Sequence, residues 1–346
     1  MKKIPVIILF ACATFASRAQ SSDNGTLYLN QSFANESIQN IEAKTSGGSI
    51  DVAGGNANNA HIEVYVSANG HHISLTKEEI QARLNEDYDF SVSTANHKLT
   101  VIAKPKSSFT NWKKSLNISF RIFVSQNVST DLSTSGGSIS ITDLSGTQDF
   151  STSGGSLTVK SISGKITGRT SGGSITVTDS KDEIDLGTSG GSIDATKCNG
   201  KIKLHTSGGS VTLTDLNGDI SATTSGGSVH GKNIAGELSA HTSGGNITLH
   251  ELACSLDAST SGGNISVAIN NPVKFIKLNN SGGNISIEIP KDKGYDLKLY
   301  ADRINTSELN NFSGSTKEKE INGKLNGGGI PITADAGAGK ISLSFK

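Results

Sequence analysis

The chain has 346 residues, of which 40 are glycine, 5% are aromatic and 18% are charged. Its 31 basic and 31 acidic residues balance, which excludes the basic footprint of a nucleic-acid-binding protein or of a protein held to an anionic membrane by charge. Abundant glycine with few aromatic residues is typical of repeated tight turns.

Residues 1–19 have the pattern of a secretory signal peptide. Two lysines precede an apolar run, 4–15, that is too short to span a bilayer. Small residues at Ser17 and Ala19 predict cleavage before Gln20. Cleavage removes three of the 31 basic residues, which leaves 28 against 31 acidic residues and a net charge of −3. No later segment has the apolar length of a membrane span.

An alternative for the same segment is a lipoprotein signal, with Cys12 as the lipid-bearing residue. This alternative would require a very short apolar region with further apolar residues after it. Both alternatives predict export from the cytoplasm.

Residues 20–133 are predicted to form a first coil and an N-terminal cap. One Ser-Gly-Gly copy, at Gly47, marks the coil, and residues 51–133 interrupt the repeat that follows. Within this interruption Asn69-Gly70 is a strong turn signal, which predicts a hairpin over residues 61–76.

A short helix is predicted directly after this hairpin. Thr76 and Glu79 have the spacing of a capping box, and Ile80 and Leu84 fall on one helix face. Two more strands are predicted, over residues 98–103 and 116–124.

Residues 134–290 are predicted to be a regular solenoid, because Ser-Gly-Gly recurs there at nearly constant spacing. Seven spacings are 18 residues and the last is 20; the first glycines are Gly136, Gly154, Gly172, Gly190, Gly208, Gly226, Gly244, Gly262 and Gly282. A short fixed period of this kind indicates stacked identical units.

One repeat, residues 170–187, shows how each unit is built. Ile175 and Val177 form one apolar pair, and Ile184 and Leu186 form a second. Spacing of two within a pair indicates half-buried strands, and turn-forming residues separate the pairs. The sequence therefore predicts an all-β fold: a single-stranded parallel β-helix, or β-solenoid, with 18 residues per coil. The crossover rule favours right-handed winding.

Columns of like residues appear when the repeats are aligned on their first glycine, taken as position 0. Apolar residues fill positions +3, +8 and +12, so Cys198, at +8, is predicted to be a core residue. Glycine at +10 predicts a turn with positive φ, and aspartate at +7 is a turn former. Threonine at −2, serine at −1, and serine or asparagine at +2 are expected to form ladders that hydrogen-bond to one another.

The two cysteines that remain after cleavage, Cys198 and Cys254, are not expected to form a disulfide. They lie three repeats apart, on the order of 14 Å along a stack of strands, which is too far for a disulfide bond. Residues 291–346 keep strand patterns but lose the period, and are predicted to form the final coils and a C-terminal cap.

The polar residues do not form a recognisable catalytic or metal-binding pattern. Calcium-binding rolls carry aspartate at +5, where this chain has apolar residues, and its histidines are scattered. No column collects carboxylates for acid–base catalysis. We therefore predict no catalytic, metal-binding or cofactor-binding residues, and no cofactor. The candidate interaction residues are the aromatic residues of the irregular segments, which are Tyr65, Tyr88, Trp112, Tyr295 and Tyr300.

Three runs near the C-terminus add to the repeated SGGSI and SGGNI coils: residues 294–297 (GYDL), 301–305 (ADRIN) and 325–332 (LNGGGIPI). Together these features resemble the DUF4097 family of adhesin-like bacterial β-strand repeat proteins, over nearly the whole mature chain. The resemblance implies an exported β-solenoid, often from Bacteroidetes-like bacteria, with roles in adhesion or in the envelope. It implies no catalytic or binding residues.

Three functional hypotheses follow. The first is an exported, non-catalytic protein of the cell envelope that acts as a spacer or an adhesin-like interaction surface, in the periplasm, at the cell surface or outside the cell. The alternative is a periplasmic regulatory or stress-response protein that binds another envelope protein. The third is a carbohydrate-active enzyme. The expected partner is an envelope protein or a surface ligand, not a nucleic acid.

Overall fold

The computed structural model describes residues 25–34, 36–69, 75–107 and 115–346. The predictions for the signal peptide, Cys12, Gly70 and Trp112 lie outside these residues. The described part contains 28 strands, the helix α1 and one 3₁₀ turn, Ala57–Asn59. The all-β solenoid predicted from the sequence is thus confirmed.

The N-terminal part comprises β1 (Thr26–Ser32), β2 (Asn40–Thr45), β3 (Ile50–Gly55), β4 (His61–Ala68), α1 (Lys77–Asp87), β5 (Tyr88–Ala95), β6 (Lys98–Pro105) and β7 (Leu116–Ser125). A shaft of regular coils follows, residues 129–260. It comprises β8 (Ser129–Thr134), β9 (Ile139–Thr142), β10 (Ser145–Thr152), β11 (Leu157–Lys160), β12 (Ser163–Thr170), β13 (Ile175–Thr178), β14 (Lys181–Thr188), β15 (Ile193–Thr196), β16 (Asn199–Thr206), β17 (Val211–Thr224), β18 (Val229–His241) and β19 (Ile247–Thr260).

The C-terminal part begins with a coil slightly longer than those of the shaft and ends in a cap. It comprises β20 (Ile265–Ile269), β21 (Ile276–Asn280), β22 (Ile285–Ile289), β23 (Tyr295–Tyr300), β24 (Arg303–Thr306), β25 (Phe312–Lys317), β26 (Glu320–Leu325), β27 (Ile330–Asp335) and β28 (Lys340–Phe345).

Neighbouring coils of the shaft pair in parallel and in register. Ile184 on β14 lies opposite Ile166 on one side and Ile202 on the other, so paired residues are separated by one repeat. Most coils of the shaft contain a short strand followed by a longer one, but β17, β18 and β19 each run through both positions as one continuous strand. These long strands join the two strand positions of the coils into a single open sheet.

The interior is a stack of apolar columns. Ile175 and Ile184 are 0% and 1% exposed, and Cys198 is buried in the +8 column as predicted. Side-chain volume is balanced between coils: Phe150 fills space that Gly168 leaves free, because a Cβ at Gly168 would lie 2.5 Å from the phenyl ring. Burial of each large aliphatic side chain contributes about 1.5–3 kcal/mol.

The side chains of the polar ladders bond to backbone groups of their own and of adjacent coils, and not, as predicted, to one another. Thr170 Oγ1 donates to the Gly155 carbonyl oxygen at 2.8 Å and accepts from Gly173 N at 3.3 Å. This arrangement recurs along the shaft. At +2, Asn264 N donates to Asn246 Oδ1 at 2.8 Å. Each hydroxyl or amide therefore satisfies backbone groups at a corner where no strand pairing is available.

The two glycines of Ser-Gly-Gly have different structural roles. A Cβ on the second, Gly173, would lie 2.0 Å from the carbonyl oxygen of Gly155 in the coil before it. A Cβ on the first, Gly172, would lie 3.6 Å from its nearest neighbours, an ordinary contact. The second glycine is thus required by the close approach of the coils.

Positive φ occurs instead at the other two turn columns. Gly164 and Gly200, at +10, have φ of 105° and 116°. At +7, Asp179 and Asp215 have φ of 52° and 56°, and Lys197 shares this left-handed conformation at 54°. The predictions of positive φ at +10 and of turn formation at +7 are confirmed.

At the N-terminal end, the order of strands in space differs from their order in sequence. β2 lies between β6 and β8, and β3 lies between β7 and β9, all in parallel. The later strands β6 and β7 therefore form the outer layer. Antiparallel strands cover that layer: β5 pairs with β6, β4 with β7, and β1 with β4.

The turn and most of the second strand of the hairpin predicted over residues 61–76 lie outside the described residues. In the described part of the chain, β4 pairs with β1 on one edge and with β7 on the other. Helix α1 does follow, with the Thr76–Glu79 capping box and with Ile80 and Leu84 buried, and it packs against β5 and β1.

The C-terminal end repeats this topology. The last strands in sequence, β27 and β28, lie between the β21–β22 coil and the outer pair β23–β24. β26 pairs antiparallel with β23, and β25 with β26. The final coil in sequence is therefore enclosed on both sides.

Candidate functional site

The structure separates the aromatic residues that were predicted to form interactions. Tyr88 and Tyr295 are buried: the Tyr88 hydroxyl accepts from Leu116 N at 2.7 Å, and the Tyr295 hydroxyl donates to the Pro290 carbonyl oxygen at 3.0 Å. Burial raises the pKa of Tyr295 to about 12. These two side chains fill the caps and do not occupy the surface positions expected of them. Tyr300 is 54% exposed.

Tyr65 belongs to a surface cluster that we name the N-cap patch, formed by Leu27, His61, Tyr65, Arg121 and Phe123. The Arg121 guanidinium carbon lies 4.8 Å from the centre of the Tyr65 ring. The His61 and Phe123 rings stack at 4.5 Å with an angle of 11°. Leu27, directly opposite Tyr65, is 37% exposed, and Phe123 is 36% exposed. Two of its members, Tyr65 and Arg121, belong to residue types that are enriched at interaction hot spots.

Strand alternation explains how the patch reaches the surface. Along β7 the residues Ile118, Phe120 and Ile122 are buried, which turns Arg121 and Phe123 outward. Neither residue is among the candidate interaction residues predicted from the sequence. The signal was present, because a phenylalanine at an outward position of an alternating strand is out of place on a solvated face.

Next to the N-cap patch lies a pocket of about 290 Å³, named here the Asp51 pocket. Its walls come from three parallel strands. Ala53 on β3 lies between Phe123 on β7 and Thr142 on β9, so its small side chain leaves the gap. One step along the strands, Asp51 lies between Arg121 and Ser140; all six side chains line the pocket.

The Asp51 carboxylate is half-buried and has no protein partner among the hydrogen bonds and ion pairs of the described residues. Burial raises the pKa of Asp51, and the charge of Arg121 acts in the opposite direction. Arg121 does not pair closely with it, because its guanidinium lies over Tyr65. The pocket therefore holds a carboxylate able to accept hydrogen bonds from a ligand.

A second groove, of about 370 Å³, crosses the shaft at Gly187, between Arg169 and His205. Two of its charged residues, Arg169 and Asp185, are paired with each other. Arg169 donates to the Asp185 carbonyl oxygen at 2.7 Å and to Asp185 Oδ1 at 2.8 Å. Lys203 and His205 also line this groove, which lies on the shaft and not at an end of the protein.

In the C-terminal cap, Asp296 Oδ1 is buried without a hydrogen-bond partner among the described residues. It faces Gly328, where an added Cβ would lie 2.5 Å from it. Across the described part of the chain, no group of three or more His, Cys, Asp and Glu side chains is placed to hold a metal ion.

The two thiols of the described residues are poor nucleophiles. Both are buried, and burial raises the pKa of Cys254 to about 12. Cys198 Sγ donates to the Thr196 carbonyl oxygen at 3.3 Å. Within the described ranges, no helix has the length and apolar character needed to cross a membrane.

Solved structures and a family model are similar to this chain. A crystal structure of a putative adhesin from Bacteroides fragilis NCTC 9343 shares 12% identity with the chain, with a TM-score of 0.26, and the match covers 91% of this chain and 96% of that one. A putative cell adhesion protein from Clostridium sporogenes ATCC 15579 shares 11% identity, with a TM-score of 0.18, over 90% and 94% of the two chains. No curated protein matches the chain. The family model described as Toastrack DUF4097 matches residues 89–344; because this is well over half of the sequence, the chain belongs to the DUF4097 family.

Proposed function

We propose that this protein is an exported, non-catalytic component of the cell envelope, a rigid spacer with adhesin-like contact surfaces at its ends. One observation carries the proposal. The large apolar side chains that are exposed among the described residues are Leu27, Phe123, Val273 and Tyr300. All four lie outside the shaft, so its outer faces are polar while the ends carry apolar surface suited to contacts.

The shaft is suited to holding two ends apart. Its corner hydroxyls are bonded to the backbone of neighbouring coils, as Thr206 Oγ1 is to the Gly191 carbonyl oxygen at 2.7 Å. The chain of pairings from β5 to β25 extends over about 70 Å at the usual strand spacing. A continuous ladder of this kind resists bending, because bending must stretch hydrogen bonds on one face.

The test of export is fractionation of cells that express the full chain, with mass spectrometry of the mature N-terminus and protease treatment of intact cells. We expect cleavage before Gln20, recovery in the envelope and digestion at the surface. Protection in intact cells, with digestion only after the outer membrane is permeabilised, would favour the periplasmic regulator. Recovery of an unprocessed chain in the cytoplasm would refute both.

A further inference from the structure

We propose that the Asp51 pocket binds one saccharide unit of a glycan. The inference depends on the proposed function, because it names the ligand class for the same end of the protein. It is carried by the shape of the pocket and by the chemistry of its walls.

The shape provides a stacking surface. The Phe123 ring is covered by His61 on the side of β4. Because the rings are nearly parallel and β3 lies on the opposite side of β7, the other face of Phe123 is turned toward Ala53 and the pocket. The C–H face of a pyranose packs favourably on an exposed aromatic ring. A volume of about 290 Å³ is at the small end of ligand sites and suits a sugar ring better than a lipid chain.

The polar groups suit a neutral polyol. Asp51 offers a charged acceptor, and the Ser140 and Thr142 hydroxyls both donate and accept. Sugar hydroxyls donate and accept at adjacent carbons and can satisfy all of these groups together. Hydrogen bonds to the carboxylate are charge-assisted and therefore stronger than neutral ones.

The same charges disfavour the main competing occupant, a lysine or arginine side chain of a protein partner. Such a cation would be attracted by Asp51 and repelled by Arg121, whose charge already acts on that carboxylate. A sugar has no net charge and avoids this repulsion.

The experiment uses the mature chain on an array of immobilised mono- to tetrasaccharides, followed by calorimetric titration with each free oligosaccharide that binds. Ala53→Leu fills the pocket from an outward position, and Asp51→Asn removes the charge while it keeps the shape. Matched controls exist further along the stack: Asp194→Asn on β15 lies in the same column as Asp51, and Ala268→Leu on β20 changes another half-buried alanine of a parallel strand. Circular dichroism and the melting temperature confirm folding of each variant.

We expect wild-type binding, a loss of more than about 10-fold in Ala53→Leu, and a loss of about 10-fold in Asp51→Asn, since a hydrogen bond to a charged group is worth about that factor. Both controls should stay within about twofold of wild type.

Failure of the wild type to bind any saccharide on the array would overturn the inference, as would unchanged binding by Ala53→Leu. Capture of a basic peptide in place of a saccharide would also overturn it. None of these outcomes affects the export test, so a surface-exposed chain without saccharide binding would retain the proposed function and lose only this ligand class.

Discussion

The sharpest consequence of the coil geometry concerns two adjacent glycines, Gly172 and Gly173. Alanine at Gly173 would place its Cβ 2.0 Å from the Gly155 carbonyl oxygen, whereas carbon–oxygen contacts below 3.0 Å are essentially never seen. The two coils must therefore separate by about 1 Å at this corner. Alanine at Gly172 meets atoms no nearer than 3.6 Å, so it needs no such movement.

The magnitude follows from the hydrogen bonds that cross this corner. Thr170 Oγ1 donates to the Gly155 oxygen at 2.8 Å, Gly172 N to the Ser153 oxygen at 2.9 Å, and Leu157 N to the Ser174 oxygen at 3.0 Å. An extra separation of about 1 Å breaks all three, at about 1 kcal/mol each, and overpacking adds about 1–2 kcal/mol. We expect Gly173→Ala to lower the free energy of unfolding by about 4–5 kcal/mol.

The matched variant, Gly172→Ala, should change the free energy of unfolding by less than about 1 kcal/mol, because neither glycine has positive φ and alanine restricts the unfolded chain. Urea denaturation followed by circular dichroism measures both, with the slope of the transition as a check that unfolding remains comparable. Equal losses in the two variants would refute the assignment of the close approach to the second glycine.

Three further predictions follow from the shaft. Ile184→Asp should cost about 3–5 kcal/mol, because it buries an unpaired charge, while the exposed Thr158→Asp should cost less than about 1 kcal/mol; similar melting temperatures would contradict the inward and outward assignments. Lys197→Asn should stabilise the fold by about 0.5–1 kcal/mol, because asparagine tolerates the left-handed φ of 54° better than lysine does; the same change at Lys201, on a strand, should give no gain. Cys254, with its pKa raised to about 12, should resist iodoacetamide at about pH 8.5 in the native state and react once urea unfolds the chain. Above about pH 9 this thiol ionises in the unfolded chain but stays protonated in the folded one, so the free energy of unfolding should fall as the pH rises toward 12.

The coil could be predicted in detail because its contacts repeat at a fixed separation. Ile166, Ile184 and Ile202 share a column in the sequence and lie opposite one another in the structure. The hydrogen-bond partners of the threonines could not be predicted in the same way. A column of identical residues shows that side chains align, but it does not show whether they bond to one another or to the adjacent backbone.

The strand order of the caps could not be predicted from the sequence, because the strands that pair there share no repeated motif. Ile41 on β2 pairs with Leu99 on β6, and Ile276 on β21 pairs with Ile332 on β27. Nothing in the spacing of these residues indicates that later strands lie outside earlier ones. The strong local signal at Asn69-Gly70 indicates a turn, but it gives no sign that β4 pairs with β1 and β7.

The candidate site, like the caps, depends on strand pairings that the sequence does not reveal. Tyr65 could be selected from the sequence because it is aromatic and lies in an irregular segment. Its stacking with Arg121, and the pocket beside it, depend on the antiparallel pairing of β4 with β7 and on the parallel pairing of β7 with β3. Asp51 could not be distinguished from other outward carboxylates until Ala53 and Thr142 were placed around the same gap.

The enclosed terminal coils connect stability to this site. A stack of parallel strands exposes unpaired backbone N–H and C=O groups at its two ends. Here antiparallel strands cover both ends, including β5 at the N-terminal end and β25 at the C-terminal end. Phe123 faces Ala53 only while β7 is docked on β3, a contact between segments far apart in sequence. The shaft, by contrast, is built from contacts between adjacent repeats and is expected to form sooner. A ligand in the Asp51 pocket binds only the docked cap, so by mass action it must stabilise the cap more than the shaft.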